Sequence, residues 1–218
     1  MGKKHRTQEG QLIAAEGYGI IALSLLMAFL LFFFHAFLAW VALLWVAFCL
    51  YFFRNPKREI PQDESALVSP ADGRVISIER VLEGEFLQRE LLCLSIFMSP
   101  LNVHVNRMPI SGVVVNVRHR QGKFWAAFSE NAQAENERAA IHVHTARGED
   151  LVFVQIAGWL ARRIFTYPQV GDNVQKGSIC GVIRFGSRVD VYLPDDFIPK
   201  VSVGDKVQAG SSVLAVRA

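Results

Sequence analysis

Gly186 and Ser187 stand between two apolar segments, Cys180 to Ile183 and Val189 to Leu193, near the C-terminal end of the chain. Both segments carry the alternation of a half-buried strand, so a short connection is expected at Phe185-Gly186-Ser187. Glycine reaches backbone angles closed to other residues and leaves its carbonyl open to approach. The serine places a hydroxyl beside that carbonyl. A hydroxyl forced onto the preceding carbonyl can attack it, turning the amide into an ester. Elimination from the ester then cuts the chain and leaves residue 187 as a ketone-bearing pyruvoyl group. The plainer reading of the pair is an ordinary Gly-Ser turn between strands.

Other residues could serve such chemistry. Ser69-Pro70-Ala71-Asp72-Gly73 is a turn leading into a strand; Asp72 is either a turn former or a carboxylate that orients a histidine. His104 sits among apolar residues in Leu101 to Pro109. It is either a hydrogen-bonded structural residue or a general acid or base, since imidazole titrates near neutrality. A base that takes the Ser187 proton and is itself oriented by Asp72 would follow triad logic. Arg107 and Arg138 offer planar guanidinium groups to a substrate phosphate or carboxylate, or else form surface ion pairs. His142 and His144 face one side of a strand. They are a polar strand face or, with His104, ligands of a zinc hydrolase, although no further metal motif accompanies them.

These residues need a scaffold, and the 218-residue chain is long enough for one soluble domain with an added segment. Its net charge of +3 is too small to point to nucleic acid. Cys49, Cys93 and Cys180 are far apart in apolar surroundings, which argues against a disulfide framework and suits a cytosolic main domain. Tyr18 to Phe53 contains no Asp, Glu, Lys or Arg. A single helix of about 35 residues would measure roughly 50 Å against a bilayer core of about 30 Å. The polar break at His35 instead divides the run into two helices, about 19–34 and 36–53, expected as a membrane hairpin; one strongly tilted span is the alternative. Lys3, Lys4 and Arg6 precede it and Arg54, Lys57 and Arg58 follow it, which favours both ends on the cytoplasmic side of the cell membrane. The apolar run is too long for a signal peptide.

The expected organisation is a basic segment 1–18, a hairpin 19–53, a linker 54–65 broken by Pro56 and Pro61, and a β-rich domain 66–218. In the last, short apolar runs alternate with Gly, Pro and Asp turns, as in a sandwich or barrel. Asn131 to Ala139 reads as a loop, and Trp159 to Phe165 as a short helix or strand. Val170 to Ile179 and Val203 to Ser212 echo each other, with a Gly-Asp turn and a second Gly turn at equal spacing. The echo resembles the hairpins of biotinyl and lipoyl carrier domains. Neither copy has the lysine tip such a carrier needs, so it argues for a mainly β, barrel-sandwich-hybrid architecture; a membrane-anchored carrier or adaptor remains the alternative function.

Taken in order, the apolar N-terminus, Phe53-Arg54-Asn55-Pro56, Ser69 to Gly73, Ser99 to Pro109, Asn136-Glu137-Arg138 and Phe185-Gly186-Ser187 resemble the short form of the phosphatidylserine decarboxylase family. The resemblance implies a proenzyme that cuts itself between Gly186 and Ser187. A β chain, 1–186, would stay bound to an α chain, 187–218, headed by a pyruvoyl group; a higher oligomer is compatible with this. That ketone would condense with the amine of phosphatidylserine and accept the electron pair left as carbon dioxide departs. Ser187, His104 and Asp72 are then the expected catalytic residues, with Arg107 and Arg138 as substrate-binding candidates. The chemistry is expected to need nothing before residue 54. Longer family members carry a second histidine where Arg107 stands, and arginine is no base at neutral pH. Either His104 serves both cleavage and decarboxylation, or another group activates Ser187.

Overall fold

The computed structural model describes residues 10–122, 136–158, 163–184 and 187–218. Two helices come first, α1 (Ala15–Phe34) and α2 (Ala36–Phe52), parted at His35 by one extended residue. They fold back on each other: Ala14 N–H donates to Phe53 O at 2.8 Å, and Asn55 N–H donates to Leu12 O at 2.7 Å. The two ends therefore lie side by side, as a hairpin requires. Helix α1 begins earlier than the composition suggested, at Ala15 rather than 19. It is long and apolar enough to cross a bilayer, whereas α2 has 17 residues. Leu, Phe and Trp side chains from Leu23 to Leu44 stand exposed along both. No soluble domain leaves such a surface bare without a lipid or protein to cover it.

The remainder is β structure. The strands are β1 (Ala66–Val68), β2 (Gly73–Glu83), β3 (Arg89–Met98), β4 (Val105–Arg107), β5 (Gly112–Arg120), β6 (Arg138–His144), β7 (Asp150–Ala157), β8 (Ile164–Thr166), β9 (Asn173–Val174), β10 (Ile179–Ile183), β11 (Ser187–Leu193), β12 (Phe197–Pro199), β13 (Lys206–Val207) and β14 (Val213–Arg217). Eight form one curled sheet in the order β13-β2-β3-β11-β7-β6-β5-β9; β1-β14-β12 and β4-β10-β8 form two small sheets. All pairings are antiparallel. The mainly β expectation holds. Position 138, read as loop, instead opens β6, and the segment read as helix or strand supplies β8 from Ile164 onward; residues 131–135 and 159–162 lie outside the described residues.

The echo occupies equivalent places at opposite sheet edges. Strand β9 pairs with β5 through Val174 and Gly112, and β13 pairs with β2 through Val207 and Gly73. Gly171 N–H donates to Val114 O, and Gly204 N–H donates to Val75 O. The neighbouring strands bulge at matching points, between Val75 and Ser77 and between Val114 and Asn116. Gly171, Gly177, Gly204 and Gly210 all have positive φ, which explains the repeated glycines. The equal spacing in the sequence is thus one edge hairpin used twice.

The main core lies inside the curled sheet, with Leu94, Ile96, Met98, Phe153, Val189 and Val191 among its buried residues. A second cluster joins the hairpin root to the β domain through Phe52, Phe53, Val103, Val105, Ile179 and Val182. Strand crossing is tightest at Gly73, where an added Cβ would come within 2.1 Å of Phe97 O. A backbone oxygen cannot move aside as a side chain can. Gly73→Ala is therefore expected to cost about 2–3 kcal/mol, read as a lower midpoint in denaturant unfolding of the detergent-solubilised protein.

Candidate active site

Ser187 is the first residue of β11 and is already paired on both sides, with Met98 of β3 and Ala157 of β7. The connection expected at 185–187 therefore ends one residue earlier, while Phe185 and Gly186 lie outside the described residues. Ser187 has no exposed surface. It shares a face of β11 with Val189, Val191 and Leu193, all core residues, and its hydroxyl donates to Met98 Sδ at 3.2 Å. A thioether is a weak acceptor and takes no proton at neutral pH. The hydroxyl is thus held in place without being deprotonated.

A line of buried amides leads away from this point. Asn106 Nδ2 reaches the same Met98 sulfur at 3.6 Å, Gln155 Nε2 donates to Asn106 Oδ1 at 2.8 Å, and Thr166 Oγ1 donates to Gln155 Oε1 at 2.9 Å. Asn106 and Gln155 are wholly buried. Paired amides at that depth avoid the cost of stranded polar groups and fix β4, β7 and β8 in one register. On the other side, Asn136 Nδ2 donates to Ala157 O at 2.7 Å and so secures the strand end facing Ser187.

His104 is brought to this end of the molecule by the short sheet. Its carbonyl accepts from Ile183 N–H at 3.3 Å, four residues before Ser187. Its ring is buried, stacked on Phe52 with centroids 4.1 Å apart, and Nδ1 lies 3.0 Å from Asn102 O. A carbonyl accepts only, so Nδ1 carries the hydrogen and Nε2 carries the lone pair. Burial lowers the imidazole to about 4; the Asn102 contact opposes this and the charge of Arg54 reinforces it. The ring is therefore a neutral, weak base at physiological pH.

Asp72 is not placed beside His104. Both of its oxygens accept from Arg58 Nη2, at 2.9 and 2.8 Å, and Oδ1 also accepts from Ala209 N–H at 2.8 Å. The residue next to the Asp72 turn is Arg107, whose N–H donates to Pro70 O at 2.9 Å. The direct Asp72–His104 link read from the sequence is thus corrected. The turn points its carboxylate at the linker and at the segment just after β13, and the carboxylate straps the linker down through Arg58.

The two arginines proposed for substrate have protein partners. Arg107 donates to Gly177 O, Asn55 Oδ1 and Pro56 O, and Arg138 lies 3.2 Å from Glu85. His142 and His144 both meet Asp150 Oδ1, at 2.8 and 2.9 Å. Among the described residues no group of three His, Cys, Asp or Glu side chains is placed to share a metal ion. Sequence reasoning missed Phe52 and Gln155, and it named Asn106 and Asn136 only inside motifs, without a role. The only signal for Asn106 and Gln155 was a polar residue inside an apolar run. Phe52 lies before residue 54, in the part that the chemistry was expected not to need, yet it stacks on His104.

The structure yields two predictions. Arg58→Ala leaves Asp72 buried with its charge partner gone, a loss of about 3 kcal/mol in unfolding free energy. His104, at about 4 when folded and about 6.5 when unfolded, takes up its proton first in the unfolded chain. Stability therefore falls as pH drops from about 6.5 to about 4. His104→Gln is expected to flatten that part of the unfolding profile.

Comparison with known proteins places the chain in a family. Residues 45–215 match the phosphatidylserine decarboxylase family. The phosphatidylserine decarboxylase proenzyme of Geotalea uraniireducens (strain Rf4) is 46% identical over 209 residues, covering 94% of this chain and 96% of its own. The proenzyme of Desulfotalea psychrophila (strain LSv54 / DSM 12343) is 49% identical over 177 residues, covering 81% and 83%. That of Paraburkholderia xenovorans (strain LB400) is 43% identical over 205 residues, covering 94% and 96%.

Proposed function

We propose, from the fact that this chain belongs to the phosphatidylserine decarboxylase family, that it cuts itself between Gly186 and Ser187 and then converts phosphatidylserine to phosphatidylethanolamine and carbon dioxide. The observation that carries the reading is the placement of Ser187: a buried hydroxyl at the first residue of the central strand, directly after Gly186. A serine kept only for a turn belongs at the surface.

In the self-cleavage step, Ser187 Oγ bonds to the Gly186 carbonyl carbon and the C–N bond breaks. The hydroxyl proton ends on the freed nitrogen, and residues 186 and 187 become joined by an ester. Loss of the residue 187 α-proton then breaks the Cβ–O bond and releases Gly186 as a carboxylate. Water replaces the remaining nitrogen, which leaves as ammonia, and residue 187 becomes the pyruvoyl ketone. Nothing but the chain and water is consumed.

Residue 187 suits that group. Its place in β11 holds it from both sides through the backbone, so a new chain end there stays where it formed. The pyruvoyl group supplies an electron-accepting carbonyl that no side chain offers. His104 moves protons through Nε2, while Asn102 O keeps Nδ1–H fixed. Asn136 and the Asn106–Gln155 pair hold the neighbouring strands. Asp72 acts at a distance by anchoring the linker. The chains 1–186 and 187–218 remain together as one β/α pair. The exposed apolar hairpin seats the enzyme in the cell membrane that holds its lipid substrate, with the basic flanks placing the β domain on the cytoplasmic face.

Intact-mass analysis of the purified protein is expected to give two chains, with borohydride-reducible carbonyl on the smaller. Ser187→Ala is expected to run as a single chain with decarboxylation at background. Two fragments from Ser187→Ala would overturn the reading.

A further inference from the structure

The root of the hairpin reaches deeper into the β domain than a tether requires. Phe52, the last residue of α2, has no exposed surface, whereas Phe32, Phe33 and Phe34 near the hairpin tip are each more than 60% exposed. The same hairpin thus has a lipid-facing tip and a protein-facing root. At the root the Phe52 ring lies over the His104 imidazole, with planes inclined by 30°. Phe53 meets Phe52 edge-on at 5.0 Å.

The root is also fastened to the loop that carries His104. Arg54 Nη2 donates to Leu101 O at 3.0 Å. Asn102, the next residue, supplies the carbonyl bonded to Nδ1, and its own side chain accepts from Ser99 N–H and Ser99 Oγ–H. One short loop therefore receives the hairpin exit and sets the histidine tautomer. Anchoring alone would be served by any apolar residue at position 52; a flat ring stacked on a flat ring constrains orientation as well.

We propose that Phe52 is a positioning residue of the active site: its ring fixes the plane of the His104 imidazole and shuts water off that face, so the hairpin root forms one wall of the reaction centre. The inference rests on His104 being the proton-transfer group proposed above.

Two effects of an aromatic neighbour oppose each other here. A ring face attracts a cation, by about 0.5–2 kcal/mol, which would favour the protonated imidazole. Exclusion of water disfavours it. Burial is the largest cause of the lowered basicity of His104, and the stacked Phe52 ring is part of what buries it. The charged groups on the packed elements do not reverse this. Arg54 at the α2 exit repels a proton from the ring, and Arg184 after β10 is turned to Glu16 O.

The test uses the full-length chain in detergent micelles. In the uncut Ser187→Ala background, the His104 ring nitrogens are followed by NMR against pH. The parent is expected to titrate near 4, Phe52→Ala at least about one unit higher, toward the ordinary 6.5, and Phe52→Tyr with the parent. Phe32→Ala, on the exposed tip, is expected to leave the midpoint unmoved. A folded Phe52→Ala chain titrating with the parent would overturn the proposal. Self-cleavage of the Ser187 chain gives a second reading should Phe52→Ala fail to fold. Phe52→Leu, apolar but not flat, is expected to slow cleavage about tenfold, with Phe52→Tyr within about twofold of the parent. Equal rates for Leu and Tyr would count against it. The reading of His104 itself fails separately, if His104→Ala cleaves and turns over at the parent rate.

Discussion

The structure depends on one strand being held from both sides. Strand β11 pairs with β3 along its full length and with β7 from Ser187 to Tyr192, and every one of its residues is buried. A chain that breaks itself must bring a nucleophile onto its own backbone and must also survive the break. In the self-cleavage proposed above, this strand would serve both needs. The segment after residue 186 supplies the middle of the large sheet, its β13 edge, and the two strands that make a small sheet with β1. Removing one covalent bond leaves all of those ladders and their apolar contacts in place. Separating the pieces would require exposing the main core, a cost far beyond what a single cut relieves.

The polar groups near Ser187 obey a second constraint, which is dryness. Asn106, Gln155 and Thr166 satisfy one another in a closed line, and His104 stays neutral because its surroundings reject charge. On the opposite face of β11, Arg188 is turned to Asp190 and Ser95. Burial there raises the Asp190 carboxyl, with the Arg188 charge working against it. The strand is thus flanked by charge on one side and by neutral amides on the other, and the Ser187 hydroxyl lies on the neutral side. That is the side where a proton can move without a fixed charge resisting it.

Much of this was legible from residue order. The alternating runs Cys180 to Ile183 and Val189 to Leu193 located β10 and β11, because strands with one face in a core must alternate. The repeated Gly-Asp spacing marked the edge hairpins, since positive φ restricts those positions to glycine. The break at His35 divided the helices. What escaped depends on sheet closure. Asn106 meets Gln155 because β10 bridges β4 to the end of β7, and no local pattern announces a contact between residues 49 apart in sequence. Asp72 was assigned to the nearest candidate base, whereas the strap after the hairpin brought Arg58 to it. Phe52 looked like any other residue of an apolar run. Its identity matters only because the helix ends where His104 begins to be covered, and composition carries no trace of that.

The order of the elements along the chain has its own consequence during biosynthesis. The hairpin leaves the ribosome well before the middle strand of the large sheet. At about 5–20 residues per second, translation takes on the order of ten seconds to pass from one to the other. Throughout that interval β3 and β7 lack the partner that belongs between them, so the sheet cannot close. Self-cleavage as proposed above would therefore have to await the arrival of β11 between β3 and β7.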